Sequence, residues 1–112
     1  MNIPATKIPA ITEKQFQEQV VELAELLGWQ CYHTFDSRRS AAGWPDLALW
    51  KPARFMLAEL KTDKGKVSTA QRATIEGLRA AGVSCQVWRP RDWEAIVQSL
   101  KHWPPVWLGD FE

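Results

Sequence analysis

The segment from Pro45 to Lys61 constrains this chain more than any other. Asp46-Leu-Ala-Leu-Trp50 is one apolar run and Phe55-Met-Leu-Ala-Glu-Leu-Lys61 is another. Lys51-Pro52-Ala53-Arg54 between them has turn chemistry, because proline pre-sets a bend. A four-residue loop there makes a hairpin in which Trp50 faces Phe55, so paired positions sum to 105. Asp46 then lies opposite Glu59, with Cβ atoms about 5 Å apart. Strand side chains alternate, which puts Glu59 and Lys61 on one face about 7 Å apart. Ala48, Trp50, Phe55 and Leu57 share the carboxylate face; Leu47, Leu49, Met56 and Ala58 take the other. A hairpin apolar on both faces calls for helices above and below. Two carboxylates and an ammonium meet at one end of it, and burying such groups is costly unless they are paired or bind a metal.

The rest of the chain supplies those helices. Residues 1–11, with Pro4 and Pro9, read as a loose arm. Thr12 to Gln15 has capping-box spacing and opens a helix whose stripe is Phe16, Val20, Leu23 and Leu27, widened by Val21 and Ala24; Gly28 stops it. Trp29 to Thr34 alternates as a first strand. A polar, basic loop from Phe35 to Gly43 leads to the hairpin, and Thr62 to Lys66 forms a turn after it. Ser68 to Gln71 repeats the capping-box spacing and starts a second helix, with Ala70, Ala73, Ile75, Leu78 and Ala81 toward the sheet and Gly82 at its end. Val83 to Trp88 is a fourth strand. Strand, helix, strand is a crossover unit, so this strand runs parallel to the third. Asp92 to Leu100 is a short helix with Trp93, Ile96, Val97 and Leu100 inward. The proline-broken tail, residues 101–112, either folds back on the core or covers a partner subunit.

Composition excludes some classes. At 112 residues the chain is one domain, here 12–100 plus arm and tail. No apolar run approaches the ~20 residues of a membrane span, and Met1 to Lys7 lacks a signal-peptide core. Cys31 and Cys85 are too few for a disulfide framework and read as reduced core residues of a cytoplasmic protein. No Cys/His spacing suggests zinc. Net charge is only +1, but from Arg38 to Arg91 there are eleven Lys and Arg against four Asp and Glu, a local balance of +7, with −6 in the remainder. Such asymmetry suits a phosphate backbone; the plain alternative is a solvated surface of mixed charge. Most of the seven tryptophans fall at strand or inward helix positions and read as core.

Pro-Asp followed by Glu-x-Lys on the next strand resembles the PD-(D/E)xK nuclease superfamily. Tyr32 to Ser40, Gly43-Trp44-Pro45-Asp46-Leu47, Ala58-Glu59-Leu60-Lys61-Thr62, Gly65-Lys66, Gln71 and Val87-Trp88-Arg89-Pro90 together are similar to its VRR-NUC branch in small stand-alone form, over roughly Thr12 to Leu100. The resemblance implies an α/β, restriction-endonuclease-like core: α-β-β-β-α-β, a mixed four-stranded sheet flanked by helices, and a C-terminal helix. It implies a bacterial or phage-encoded deoxyribonuclease using Mg²⁺ or Mn²⁺, held by Asp46, Glu59 and the backbone carbonyl of Leu60. Lys61 would orient the attacking water or stabilise charge; an ammonium beside two carboxylates stays protonated, which argues against a general base. Glu13, with Glu18 as its rival, would be a first-helix acid near the metal, or else simply a residue favouring the helix N-terminus. Gln71 would stand beside Lys61, or simply close its cap.

The same resemblance puts Arg38, Arg39 and Trp44 beside the active site as DNA contacts. Lys64, Lys66 and Arg72 join them as candidates for phosphate; solvated lysines and an Arg–Asp36 pair are the plain alternatives. His33 reads as a hydrogen-bonded strand residue before it reads as a catalytic one. Superfamily members that cut junctions are two-fold dimers, so a homodimer acting on branched, flap or four-way-junction DNA is expected, with the Trp-rich tail as candidate interface. A non-catalytic DNA-binding or architectural module and a restriction-type sequence-specific endonuclease are the competing readings.

Overall fold

A computed structural model describes residues 10–34 and 42–108. The order is α1 (Glu13–Leu26), β1 (Gln30–His33), β2 (Leu47–Lys51), β3 (Arg54–Leu60), α2 (Thr69–Ala80), β4 (Cys85–Trp88), a 3-10 turn (Pro90–Asp92) and α3 (Trp93–Lys101). The strands form one sheet in the order β1-β2-β3-β4. The first three are antiparallel and β4 runs parallel to β3, as a crossover through α2 requires. This is the mixed four-stranded, restriction-endonuclease-like arrangement that the resemblance implies.

Both capping boxes form. Thr12 Oγ1 accepts from the Gln15 backbone N–H at 3.1 Å, and the Gln15 side chain accepts from the Thr12 N–H at 2.9 Å. Ser68 and Gln71 repeat the exchange at 3.1 and 2.8 Å. These bonds satisfy donors that a helix start leaves orphaned, and each cap is worth about 1 kcal/mol.

The register sums to 105 throughout, with Leu47 opposite Ala58 and Trp50 opposite Phe55. The turn is shorter than expected. Lys51 pairs with Arg54, which leaves Pro52 and Ala53 as a two-residue loop, with Ala53 at φ 64°. Proline at the first loop position with positive φ at the second is the pattern of a type II turn, whose second position ordinarily takes glycine or asparagine. Alanine gives no sequence warning of that.

The two faces of the sheet pack differently. Leu47, Leu49, Met56, Ala58, Leu60 and Trp88 meet Phe16, Val20 and Ala24 of α1 and Ile96 and Leu100 of α3. Leu57, Cys85 and Val87 meet Ile75 of α2, with Ala48, Val67, Leu78 and Val83 at the margin. This second layer is narrower than expected. Trp50 is 37% exposed and Phe55 47%, so α2 covers the centre of its face and leaves the turn end bare. Ala70, Ala73 and Ala81 are exposed rather than packed on the sheet. Of the seven tryptophans only Trp29 and Trp88 are buried, which corrects the expectation that most are core. Burial pushes the thiols of Cys31, half-buried, and Cys85, buried, up to about 11, so both stay protonated.

The described part of the tail folds back on the core. Trp103 packs against Trp29 with the rings tilted and their centroids 6.3 Å apart, the Val106 N–H donates to Ser99 Oγ at 2.8 Å, and Leu108 packs against the α1-side cluster. Among the described residues, no helix is long and apolar enough to cross a membrane.

Candidate active site

The carboxylates meet because two local rules agree. Asp46 immediately precedes β2, and its carbonyl accepts from the Thr34 N–H at 3.0 Å, which extends the β1 ladder by one step. Its side chain reaches across to the next strand, where Oδ2 accepts from the Leu60 backbone N–H at 2.8 Å. Glu59 lies opposite Asp46 by the register and is 1% exposed. The Gln71 side-chain amide donates to Glu59 Oε2 at 2.9 Å, and Lys61 Nζ stands 3.4 Å from the same oxygen. Gln71 was expected to stand beside Lys61 or to close its cap. It closes the cap with Oε1 and donates from Nε2 to the same Glu59 oxygen that Lys61 faces, so one side chain takes both positions.

The other oxygen, Glu59 Oε1, is buried with no hydrogen-bond partner among the described residues. Burial first, then the Asp46 carboxylate, pushes Glu59 up to about 8, against the lowering pull of Lys61. Two carboxylates this close cannot both stay ionised in a dry site without a proton or a cation between them. Hard oxygen donors, one of them orphaned, suit a divalent ion of the Mg²⁺ or Mn²⁺ type. Among the described residues no group of three His, Cys, Asp or Glu side chains stands ready to hold a metal.

Glu13 sits in the first turn of α1. Burial and, next, the Asp46 charge raise its carboxyl above the ordinary value, while Lys61 lowers it, so it lies within the electrostatic reach of the pair. Glu18 instead lines a groove of about 450 Å³ along α1 with Gln17, Val21, Glu22, Glu25, Leu26 and His33. Its acidic rim would repel phosphate. His33 pairs with Leu47, on the α1 side of the sheet, away from the carboxylates. That does not favour the catalytic reading.

Among the DNA-contact candidates, Lys64, Lys66, Arg72 and Trp44 are exposed. Arg38 and Arg39 lie outside the described residues. Two features had no sequence reading. Gly43 has φ +81°, and a Cβ there would fall on the Ala70 carbonyl and 2.7 Å from the Gln71 backbone nitrogen. The Asp46 loop thus lies directly on the first turn of α2, which fixes Gln71 relative to Asp46. Arg89, 4% exposed, donates from Nη1 to the carbonyls of Thr62 at 2.7 Å and Gly65 at 2.6 Å. A glycine before the Pro-Asp pair was a visible signal for the first. Nothing local announces the second, whose partners are 24 and 27 positions away.

The model of the VRR-NUC domain matches residues 6–92 of this chain. The chain belongs to the VRR-NUC family. Its site pair, Asp46 and Glu59, lies inside the matched segment. A solved VRR-NUC domain protein superposes with a TM-score of 0.65 at 21% identity, over 93% of this chain and 95% of that one. The Archaeoglobus fulgidus Hjc, a Holliday junction resolvase, superposes with a TM-score of 0.52 at 17% identity, over 68% and 67% of the two chains. The Fanconi-associated nuclease 1 homolog of Schizosaccharomyces pombe is 39% identical over 56 residues. That match takes in 48% of this chain but only 8% of the relative.

Proposed function

We propose that this VRR-NUC chain is a metal-dependent DNA endonuclease that selects branched, flap or four-way-junction substrates. One observation carries the reading: a buried glutamate with an orphaned oxygen beside a second carboxylate, with a lysine at its other oxygen. Asp46, Glu59 and the Leu60 carbonyl would hold Mg²⁺ or Mn²⁺. Such an ion supplies an acidified water and neutralises charge on the scissile phosphate. Lys61, with Nζ 3.4 Å from Glu59 Oε2, would stabilise the extra negative charge that builds on the phosphate during attack. Gln71 holds Glu59 in place, and Glu13 would act on the site through water or a second ion. Trp44, Lys64, Lys66 and Arg72 would contact DNA near the scissile bond.

Substrate choice rests on chemistry and on relatives. The described elements offer no helix presented for major-groove reading, so shape is the property left to recognise. The fold is shared with a junction resolvase. A four-way junction has two-fold symmetry, which a homodimer matches. The second copy would cover the bare aromatic end of the sheet, where Tyr32, Trp50 and Phe55 share a face. A cleavage panel over linear, flap, fork and junction DNA with Mg²⁺, Mn²⁺ or EDTA tests the proposal. Metal-dependent cutting that prefers branched substrates is expected. Binding without cutting in either metal would leave only a DNA-binding module.

A further inference from the structure

We infer that Arg89 is a positioning residue for DNA binding, which rests on the reading that Lys64 and Lys66 contact the phosphate backbone. The turn from Thr62 to Gly65 follows directly on Lys61 and closes on itself through the Gly65 N–H and the Thr62 carbonyl at 3.2 Å. Lys64 and Lys66 project from it, both exposed. A short surface turn with two long cations would ordinarily sample many conformations, and each ordered side chain costs entropy on binding.

This turn is held from beneath. Arg89 Nη1 donates to the carbonyls at both its ends, Thr62 and Gly65. Arg91 holds the middle: its backbone N–H donates to Asp63 Oδ1 at 3.0 Å and its Nη1 to the Asp63 carbonyl at 3.3 Å. Three of the four turn carbonyls are thus drawn toward the exit of β4. The exit is itself fixed. Pro90 ends the strand, the Arg89 N–H donates to Asp92 Oδ2 at 3.1 Å, and the Asp92 N–H returns to the Arg89 carbonyl at 2.8 Å.

The chemistry of the clamp favours a role beyond packing. Burying a guanidinium is expensive, and a core needing only adhesion would use an apolar side chain of similar volume. One guanidinium nitrogen, Nη1, reaches two carbonyls at once, which no apolar residue can do. It also places fixed positive charge under a turn whose carbonyl dipoles would otherwise repel an approaching phosphate. Lys64 and Lys66 are thereby presented on a preordered support next to Lys61, whose backbone N–H is tied to the Trp88 carbonyl at 3.0 Å.

The test is a cycle among Arg89→Met, Lys64→Ala/Lys66→Ala and the combination, read as affinity for four-way-junction and duplex DNA across salt concentration, with thermal unfolding run in parallel. Arg89→Met should weaken binding about tenfold and flatten the salt slope by about one phosphate contact. KM should rise by a similar factor while kcat changes less than about threefold, since the metal pair is untouched. Arg89→Lys keeps the charge and some donors, and should recover part of the loss even where Arg89→Met does not fold. In the background of Lys64→Ala/Lys66→Ala, replacing Arg89 should have little further effect. Full additivity, or wild-type binding by folded Arg89→Met, would overturn the positioning role alone. Unchanged binding by Lys64→Ala/Lys66→Ala would overturn the reading of those lysines and this inference with it.

Discussion

The two ends of the β2–β3 hairpin lie on the same strands and the same face, yet they break the pattern of a folding sequence in opposite ways. At the site end, a glutamate is buried to 1% exposure beside an aspartate. At the turn end, Trp50 and Phe55 are left open to solvent. A sequence chosen for stability would exchange them. Between the two ends α2 covers the sheet normally, with Ile75 on Leu57 and Val87. Departures from consistent patterning mark the places where something other than folding set the residue. On the proposed function, a cation would take the place of the proton that keeps the two carboxylates together at the site end, and a second copy would cover the apolar area at the turn end.

The comparison breaks first at the site end. Asp46→Asn or Glu59→Gln should lower the single-turnover cleavage rate on the order of a thousandfold. Metal-free melting temperature should stay level near neutral pH, where Glu59 still holds its proton, and rise relative to wild type in both above about pH 8, where two charges would otherwise crowd. Unchanged cleavage by folded protein would remove these residues from the site.

Gly43→Ala comes next. The residue combines a positive φ with close backbone approach to Ala70 and Gln71, so a methyl must push the Asp46 loop off α2. A stability loss of about 2 kcal/mol is expected from the strained backbone, with activity down about a hundredfold from displacement of the loop. Urea unfolding and cleavage kinetics on the same preparation separate the two effects.

The buried pair also gives the metal-free protein a pH dependence of known sign. Glu59 is raised from 4.5 to about 8 in the fold. The folded state therefore keeps a proton that the unfolded chain gives up, and stability is highest below the unfolded value. It falls as pH rises from about 4.5 to about 8, and Glu13, raised in the same direction, adds to the fall. Between pH 5 and 8.5, wild type should lose about 4 °C or more of melting temperature relative to Glu59→Gln. Parallel curves for the two proteins would contradict the assignment.

The smallest effect on folding belongs to the turn end. Trp50→Lys or Phe55→Lys should change monomer stability by less than about 1 kcal/mol, since both positions are already hydrated. Sedimentation should nevertheless shift toward monomer, and junction cutting should fall more than nicking of plasmid DNA. A variant that remains dimeric would move the interface elsewhere.

Much of this was legible in the sequence because it depends on short-range rules. Alternation and a proline turn set the 105 register, and with it the meeting of Asp46 and Glu59. Two capping boxes placed the helix starts, and the crossover rule set β4 parallel. What escaped depends on distant partners or on packing. The two-residue turn needs Ala53 at positive φ, which no alanine announces. The bare state of Trp50 and Phe55 depends on where α2 lies across the sheet. Gln71 could be assigned to a cap or to the site, and only the fold shows that its two ends do both. The Arg89 clamp joins segments far apart in the chain.

Whether Asp46 and Glu59 seat one divalent cation is decided by calorimetric titration of Mn²⁺ at pH 7 in two buffers of different ionisation heat. A single site with release of about one proton is expected, because Glu59 must give up the proton it holds, and that site should be lost in both Asp46→Asn and Glu59→Gln. Binding that persists in either variant, or wild-type protein that takes up no ion at millimolar Mn²⁺, would contradict it.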